Sequence, residues 1–238
     1  MPNVFIGMET SGQLRDRFIA QGHSVVSCDL LPADEPSRHH IQGDVFETLE
    51  FLLDLGWWPD LAIFHPDCTY LTASAAWAFN DPDFDRYPGV GYHQKVVAGT
   101  LTGAARRRER ERALSIVRRI EALPIRRKAY ENPARGAINT RIRPPDQIVQ
   151  PYEFGDDASK ATGFWLENLP PLPIDLDKRV SPTLRANGKR YWGNQSDTGQ
   201  NRLTPSADRW QVRSKTFDGI ADAVVEFWGA LLWKDALI

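Results

Sequence analysis

The sequence predicts an α/β protein built on a mostly parallel sheet, and three observations predict it. Short apolar runs at Val4-Phe5-Ile6, Ser24-Val25-Val26-Ser27-Cys28 and Leu61-Ala62-Ile63-Phe64 have the length and composition of buried strands. Helical patterns lie between them. The runs break into turns that carry Gly7, Asp29 and Pro66. Open α/β sheets hold their ligands at such carboxyl strand ends.

The first strand meets a small-residue turn, Gly7-Met8-Glu9-Thr10-Ser11-Gly12. Leu14 to Ala20 reads as a helix closed by Gly22, and the strand from Ser24 to Cys28 ends in Asp29. Strand, turn, helix, strand and acidic end open a Rossmann-like unit. Any doubly wound domain opens this way; this segment leans towards an adenine-bearing cofactor. Ile41-Gln42-Gly43-Asp44-Val45-Phe46 sets a second acidic residue at a turn, before a helix from Glu47 to Leu55.

Leu61 to Phe64 then runs into His65-Pro66-Asp67-Cys68, where Pro66 ends the strand. Residues 72–103 carry Trp77, Asp81-Pro82-Asp83 and four glycines, and read as irregular loop. Ala104 to Leu123 is a long helix, with Ala113, Ile116, Val117, Ile120 and Leu123 at helical spacing. The mixed-sign run Arg106 to Arg112 reads as its solvated face, with Gly99 to Arg112 as a secondary candidate surface for a nucleic-acid strand.

Tyr130-Glu131-Asn132-Pro133 brings a carboxylate to the end of another short segment. A thiol at Cys68 and a carboxylate at Glu131, each at a strand end, suggest covalent catalysis with a proton donor. An inert buried thiol is the plainer alternative for Cys68, and packing is the expected role of Cys28. Residues 134–152 read as loop, Gly163 to Leu166 as strand, and Ile220 to Leu232 as a helix packed on the sheet. The chain, 1–238, is expected to be one domain, with 173–215 a polar, basic insert. Between Arg185 and Lys215, seven Lys or Arg stand against two Asp.

Composition narrows the partners. The chain has 238 residues, 42% hydrophobic and 25% charged, as one substantial soluble domain would. A net charge of −2 gives no global positive field, so nucleic-acid contact must come from local patches. Two cysteines without a signal-peptide pattern fit the reducing cytoplasm. Apolar stretches fall short of a membrane span. His39-His40 and the pair His65 and Cys68 lack a second pair at ligand spacing, so no metal is expected.

Taken in order, these elements resemble the cytosine-C5 DNA methyltransferases, most closely the short phage and prophage C5-cytosine-specific DNA methylases. The resemblance runs over most of the chain. It implies a Rossmann-like S-adenosylmethionine-dependent methyltransferase fold and the cytoplasm of a bacterial or phage-infected cell. S-adenosylmethionine would lie on the glycine turn, at Gly7, Met8, Glu9, Ser11 and Gly12, with Asp29 and Leu30 at the ribose. Gly43-Asp44-Val45 matches the motif that contacts the adenine, through Asp44 and Val45, and Pro66 lies beside the cofactor. Pro66-Asp67-Cys68 matches the Pro-Cys motif with one residue between, which makes Cys68 the nucleophile. Glu131-Asn132-Pro133 matches Glu-Asn-Val, which makes Glu131 the partner of cytosine N3 and Asn132 a loop-positioning residue. Phe154-Gly155 followed by Ser159-Lys160-Ala161-Thr162 stands where the family has a Tyr-Gly turn and a Gln-x-Arg-x-Arg strand. Lys160 is then a contact to the base or a phosphate. Thr216 to Ala223 matches the last cofactor-side motif.

The implied chemistry explains these residue types. Cytosine C5 is a poor nucleophile until a thiolate adds to C6. That addition needs thiolate character and a proton at N3 as charge grows on the ring. A glutamate beside an apolar pocket is expected to favour its neutral form, which suits donation. A base in duplex DNA must also leave the stack. Arg185, Lys189, Arg190, Arg202, Arg209, Arg213 and Lys215 are the candidate phosphate contacts, with Tyr191 and Trp192 as stacking surfaces. A solvated insert without that role is the alternative. The family's long recognition segment is absent, which together with the acidic net charge keeps a free cytidine nucleotide, dCMP or CMP, as an alternative substrate. Lys160 and Thr162 in place of arginines motivate a third reading, a catalytically inactive nucleic-acid-binding relative. A modified alkyl group in place of methyl also stays open.

Overall fold

Seven strands form one mixed sheet in the computed structural model, which describes residues 1–73, 75–198, 202 and 215–235. The strands are β1 (Asn3–Gly7), β2 (Ser24–Asp29), β3 (His40–Gln42), β4 (Leu61–Phe64), β5 (Lys128–Pro133), β6 (Gln147–Val149) and β7 (Thr162–Glu167). Their spatial order is β3-β2-β1-β4-β5-β7-β6, and only β7 runs against the others. This is the doubly wound order 3-2-1-4-5-6 with one reversed strand inserted between the last two. Strand order switches direction between β1 and β4, so a ligand crevice is expected outside their carboxyl ends.

The strands read as apolar runs because both faces of the sheet are covered. Alternate residues of β1 and β4 serve opposite cores. Val4, Ile6, Leu61 and Ile63 pack with Phe18 of α1 (Gln13–Ala20) and with Val224 and Trp228 of α5 (Asp218–Asp235). Phe5, Ala62 and Phe64 pack with Leu49 of α2 (Val45–Asp54) and with Leu114, Val117 and Ile120 of α3 (Gly103–Ala122). Trp165 fills the second core, stacked on Tyr130 at 5.2 Å, and its indole N–H donates to the Arg143 carbonyl at 2.8 Å.

Three expectations need correction. Residues 134–152 are not all loop: they hold α4 (Ala137–Arg141), β6 and a 3-10 turn at Pro151–Glu153. β6 has only three residues on the sheet edge, and Ile148 is exposed, so no periodic apolar signal marks it. The arginine run of α3 is not simply a solvated face. Arg106 is buried, Arg107 donates to the Phe79 carbonyl at 2.7 Å, and the Arg110 guanidinium lies 4.3 Å from the Phe79 ring centroid. These arginines hold the irregular segment around the 3-10 turn Ala76–Phe79 onto the domain. The insert also has structure of its own, a hairpin of β8 (Thr183–Leu184) and β9 (Arg190–Tyr191). Among the described residues, no helix is long and apolar enough to cross a membrane.

Candidate active site

Strand register brings the predicted residues to one edge. Gly7 pairs with Phe64, and Phe64 with Tyr130, so the chain leaving β4 lies between the glycine turn and Glu131. The His65 amide donates to the Gly7 carbonyl at 3.0 Å. Because β7 is reversed, it starts at this same edge: Thr162 pairs with Pro133, which carries Lys160 to the site.

The turn bearing Cys68 is fixed from several sides. Asp67 accepts from the Thr69 amide at 2.8 Å and its hydroxyl at 2.6 Å, a side-chain-closed turn. The Cys68 carbonyl accepts from the Leu71 and Thr72 amides at 3.1 and 3.0 Å. Asn132, itself buried, donates its side-chain amide to the Pro66 carbonyl at 2.7 Å. The Leu71 carbonyl accepts from the Ala137 amide at 2.6 Å. Gly136 is needed at this crossing, since a Cβ there would run into the Leu71 carbonyl. The turn holding the thiol is thus laced to the segment after β5. Cys68 itself is half-buried, whereas Cys28 is buried with its sulfur 3.2 Å from the Thr48 hydroxyl. Burial pushes the Cys28 thiol up, which agrees with a packing role.

Glu131 contradicts one expectation. Burial raises its carboxyl, but a hydrogen bond from His65 and the charge of Lys160 outweigh this and hold it below the usual glutamate range. The pocket is only partly apolar: Leu14, Phe164, Phe217, Ile220 and Val224 line it together with His65, Glu131 and Lys160. His65 Nδ1 lies 3.3 Å from Glu131 Oε1, and their side chains are only 9% and 13% exposed. His65 Nε2 is buried with no hydrogen-bond partner. Sequence reasoning considered His65 only as a metal ligand. Its place one residue past a buried strand, beside the thiol's turn, was the available signal.

The cofactor-side residues divide. Met8 takes a left-handed conformation, φ 63°, at the head of the glycine turn. Glu9 is buried; its Oε1 accepts from the Ser11 hydroxyl and, at 3.3 Å, from the Gln13 amide, while Oε2 is buried without a partner. Gly12, φ 72°, leads into α1. Asp29 accepts from the Leu31 amide at 2.8 Å, burial pushes its carboxyl up, and Leu30 beside it is exposed. Asp44 caps α2, accepting from the Phe46 and Glu47 amides at 2.9 and 3.2 Å. Val45 is buried against Gly7, where any Cβ would clash with Val45 and Phe64, and Pro66 is buried too. Val45 therefore packs in the core beside the head of the glycine turn.

Lys160 is held by the insert. Asn194 accepts from the Ser159 amide and donates to the Ser159 carbonyl, both at 3.0 Å, and the Lys160 amide donates to Gln150 at 3.0 Å. Two residues expected to face DNA face inward. Arg185 is largely buried, paired with Asp197, and donates to the Gln195 carbonyl at 2.7 Å. The Trp192 ring stacks on Tyr152 at 4.3 Å, and its indole N–H donates to the Val180 carbonyl at 3.3 Å. Arg185 braces the hairpin from within the insert, and Trp192 holds it to the domain through Tyr152, because so short a hairpin has no core of its own. Tyr191 is half-buried, with the Arg185 guanidinium 5.2 Å from its ring centroid. Lys189, Arg190 and Arg202 are exposed, and Lys215 pairs with Asp34 at 3.0 Å. Arg209 and Arg213 lie outside the described residues. Among the described residues, no group of three or more His, Cys, Asp or Glu is placed to hold a metal.

Fold and site together define an α/β protein with a carboxylate, an imidazole and an ammonium group lining one pocket at the carboxyl edge of its sheet, and a half-buried thiol on the adjoining turn. The chain matches no protein-family model, and no curated protein matches it.

Proposed function

We propose that this protein is an S-adenosylmethionine-dependent methyltransferase acting on C5 of cytosine in DNA, through a covalent bond between Cys68 and C6. One observation carries the reading: the turn bearing Cys68 and the strand end bearing Glu131 are neighbours, tied by the Asn132–Pro66 hydrogen bond. Covalent addition at C6 with proton transfer at N3 needs those two groups on one edge. The mostly parallel sheet with one reversed strand agrees with the methyltransferase fold that the sequence resemblance implies.

The crevice residues fit the cofactor. Glu9 Oε2 is a buried carboxylate oxygen without a partner in the turn after β1, and Asp29 stands at the end of β2. Such carboxylates suit a cationic ligand with a ribose diol. Glu9 would hold the cationic end and Asp29 the ribose. S-adenosylmethionine bound there supplies an electrophilic methyl group. Cys68 adds its sulfur to C6, Glu131 passes the proton to N3, and Lys160 balances charge beside Glu131. Asn132 fixes the distance between the two loops.

A second reading keeps the chemistry and replaces DNA with a free cytidine nucleotide. It is favoured by the inward engagement of Arg185 and Trp192, which leaves fewer groups to clamp a duplex. Transfer of radiolabelled methyl from S-adenosylmethionine to duplex DNA, single-stranded DNA and cytidine monophosphates separates the two. Label in polymer is the expected result. Label in monophosphate alone would move the substrate to the nucleotide, and no label in any pool would overturn the enzyme reading.

A further inference from the structure

We propose that His65 is the proton reservoir of Glu131: the two side chains share one proton, and His65 restores it to Glu131 as Glu131 protonates the substrate ring. The inference rests on the methyltransferase reading above and adds a residue that the resemblance does not supply.

The argument starts from a mismatch. Protonation of N3 needs a carboxylic acid, yet Lys160 and His65 favour the carboxylate form of Glu131. A carboxylate can donate only a proton it has just received. His65 Nδ1 is 3.3 Å from Oε1 and is the titratable group bonded to Glu131. With Glu131 ionised, Nδ1 carries the proton of that bond. The opposite ring nitrogen, Nε2, is buried without a partner, and His65 lines the same cavity as Glu131 and Lys160. An imidazole with one nitrogen engaged and the other bare is an unbalanced arrangement for a purely structural histidine.

Among the described residues, Lys160 faces the pair from the segment before β7, and the Asp29 carboxylate at the end of β2 acts on His65 through its charge. Leu14 of α1 and Ile220 and Val224 of α5, which also line the pocket, bring no charge. The step balances. As the Cys68 thiolate bonds to C6, the C5–C6 π electrons shift towards N3. One proton moves from Nδ1 of a His65 imidazolium to the Glu131 carboxylate and from Glu131 on to N3; His65 keeps its Nε2 proton and ends as the neutral imidazole, and Glu131 ends as the carboxylate again. When the sulfur–C6 bond breaks after methylation, the N3 proton returns along the same path. The hydrogen displaced from C5 leaves to water as a proton.

His65 acts through Glu131, so it is a positioning residue rather than a catalytic residue, and its test must separate holding a proton from holding a shape. His65→Asn keeps an N–H donor near the Nδ1 position but cannot ionise. The expected result is cofactor binding within about threefold of wild type, with kcat lower by on the order of 10²-fold. The pH profile of kcat should differ between wild type and this variant. His65→Gln should behave alike. Independently of turnover, wild-type protein should show a slowly exchanging, downfield imidazole proton by NMR, lost in Glu131→Ala. Unchanged kcat and pH profile in His65→Asn would overturn the relay while leaving methyl transfer intact. Parallel loss of cofactor binding and turnover, or no such NMR resonance in wild type, would also overturn it. No methyl transfer by wild type would overturn both readings.

Discussion

Asn132 donates its side-chain amide to the Pro66 carbonyl at 2.7 Å, and this buried bond joins the two loops that carry the proposed chemistry. One loop follows β4 and holds Cys68; the other ends β5 and holds Glu131. Neither is near the other in sequence, so the bond sets a distance that chain connectivity does not.

Asn132→Ala tests that role. It leaves the buried Pro66 carbonyl without its donor, at a cost of about 1–3 kcal/mol. Urea unfolding should show that loss. Turnover should fall further than cofactor affinity, because the cofactor side of the crevice is built from β1 and β2. Equal loss of both would make Asn132 a general stability residue.

The two cysteines should differ in chemistry. Cys28 is buried, and burial pushes its thiol up, whereas Cys68 is half-buried on the turn after β4. Titration of native protein with a thiol-specific disulfide reagent should give one fast equivalent. Cys68→Ser should remove it, and Cys28 should react only on unfolding. A fast equivalent that survives Cys68→Ser would contradict this assignment.

Glu131 links stability to pH. Its folded-state value lies below the ordinary one, although burial alone would raise it, because the His65 hydrogen bond and Lys160 outweigh burial. A depressed carboxylate contributes stability that is fully present above its unfolded value, about 4.3, and lost as pH falls through the folded value. Wild type should therefore exceed Glu131→Gln in stability at neutral pH. The gap should narrow steadily as pH drops below about 4.3. Unfolding midpoints of both proteins across that range supply the check; a gap independent of pH would remove Glu131 from the charged network.

The basic insert should separate into structural and binding residues. Arg185→Ala breaks the pair with Asp197 and the bond to the Gln195 carbonyl that brace the hairpin internally, so it should lower the melting temperature. Lys189→Ala and Arg190→Ala, at exposed positions, should leave stability unchanged. Each should weaken DNA binding and reduce the salt slope by roughly one. Unaltered slopes in both variants would favour the nucleotide substrate.

Much of the sheet was legible in the sequence because β1 and β4 are buried on both faces and read as apolar runs, and β2 keeps Val25, Val26 and Cys28 alongside its serines. The bounds of Leu61–Phe64 follow from Pro66 and the polar Asp60. β6 was not legible, since three residues at a sheet edge with Ile148 exposed leave no pattern. The placing of Cys68 and Glu131 on neighbouring segments at one sheet edge followed from strand ends. The charge state of Glu131 did not. It depends on His65, distant in sequence, and on Lys160, which only the reversed β7 brings near. Asp44 shows the opposite limit: a residue expected at the cofactor is occupied as a helix cap.

The central claim is that Cys68 bonds to cytosine C6 while methyl is transferred to C5. The most direct test is mass spectrometry of the protein incubated with S-adenosylmethionine and duplex DNA containing 5-fluorocytosine, whose fluorine blocks release. The account predicts a covalent protein–DNA adduct carrying one added methyl, linked through Cys68 and absent in Cys68→Ala. DNA methylated without any trapped adduct, or an adduct that persists in Cys68→Ala, would contradict it.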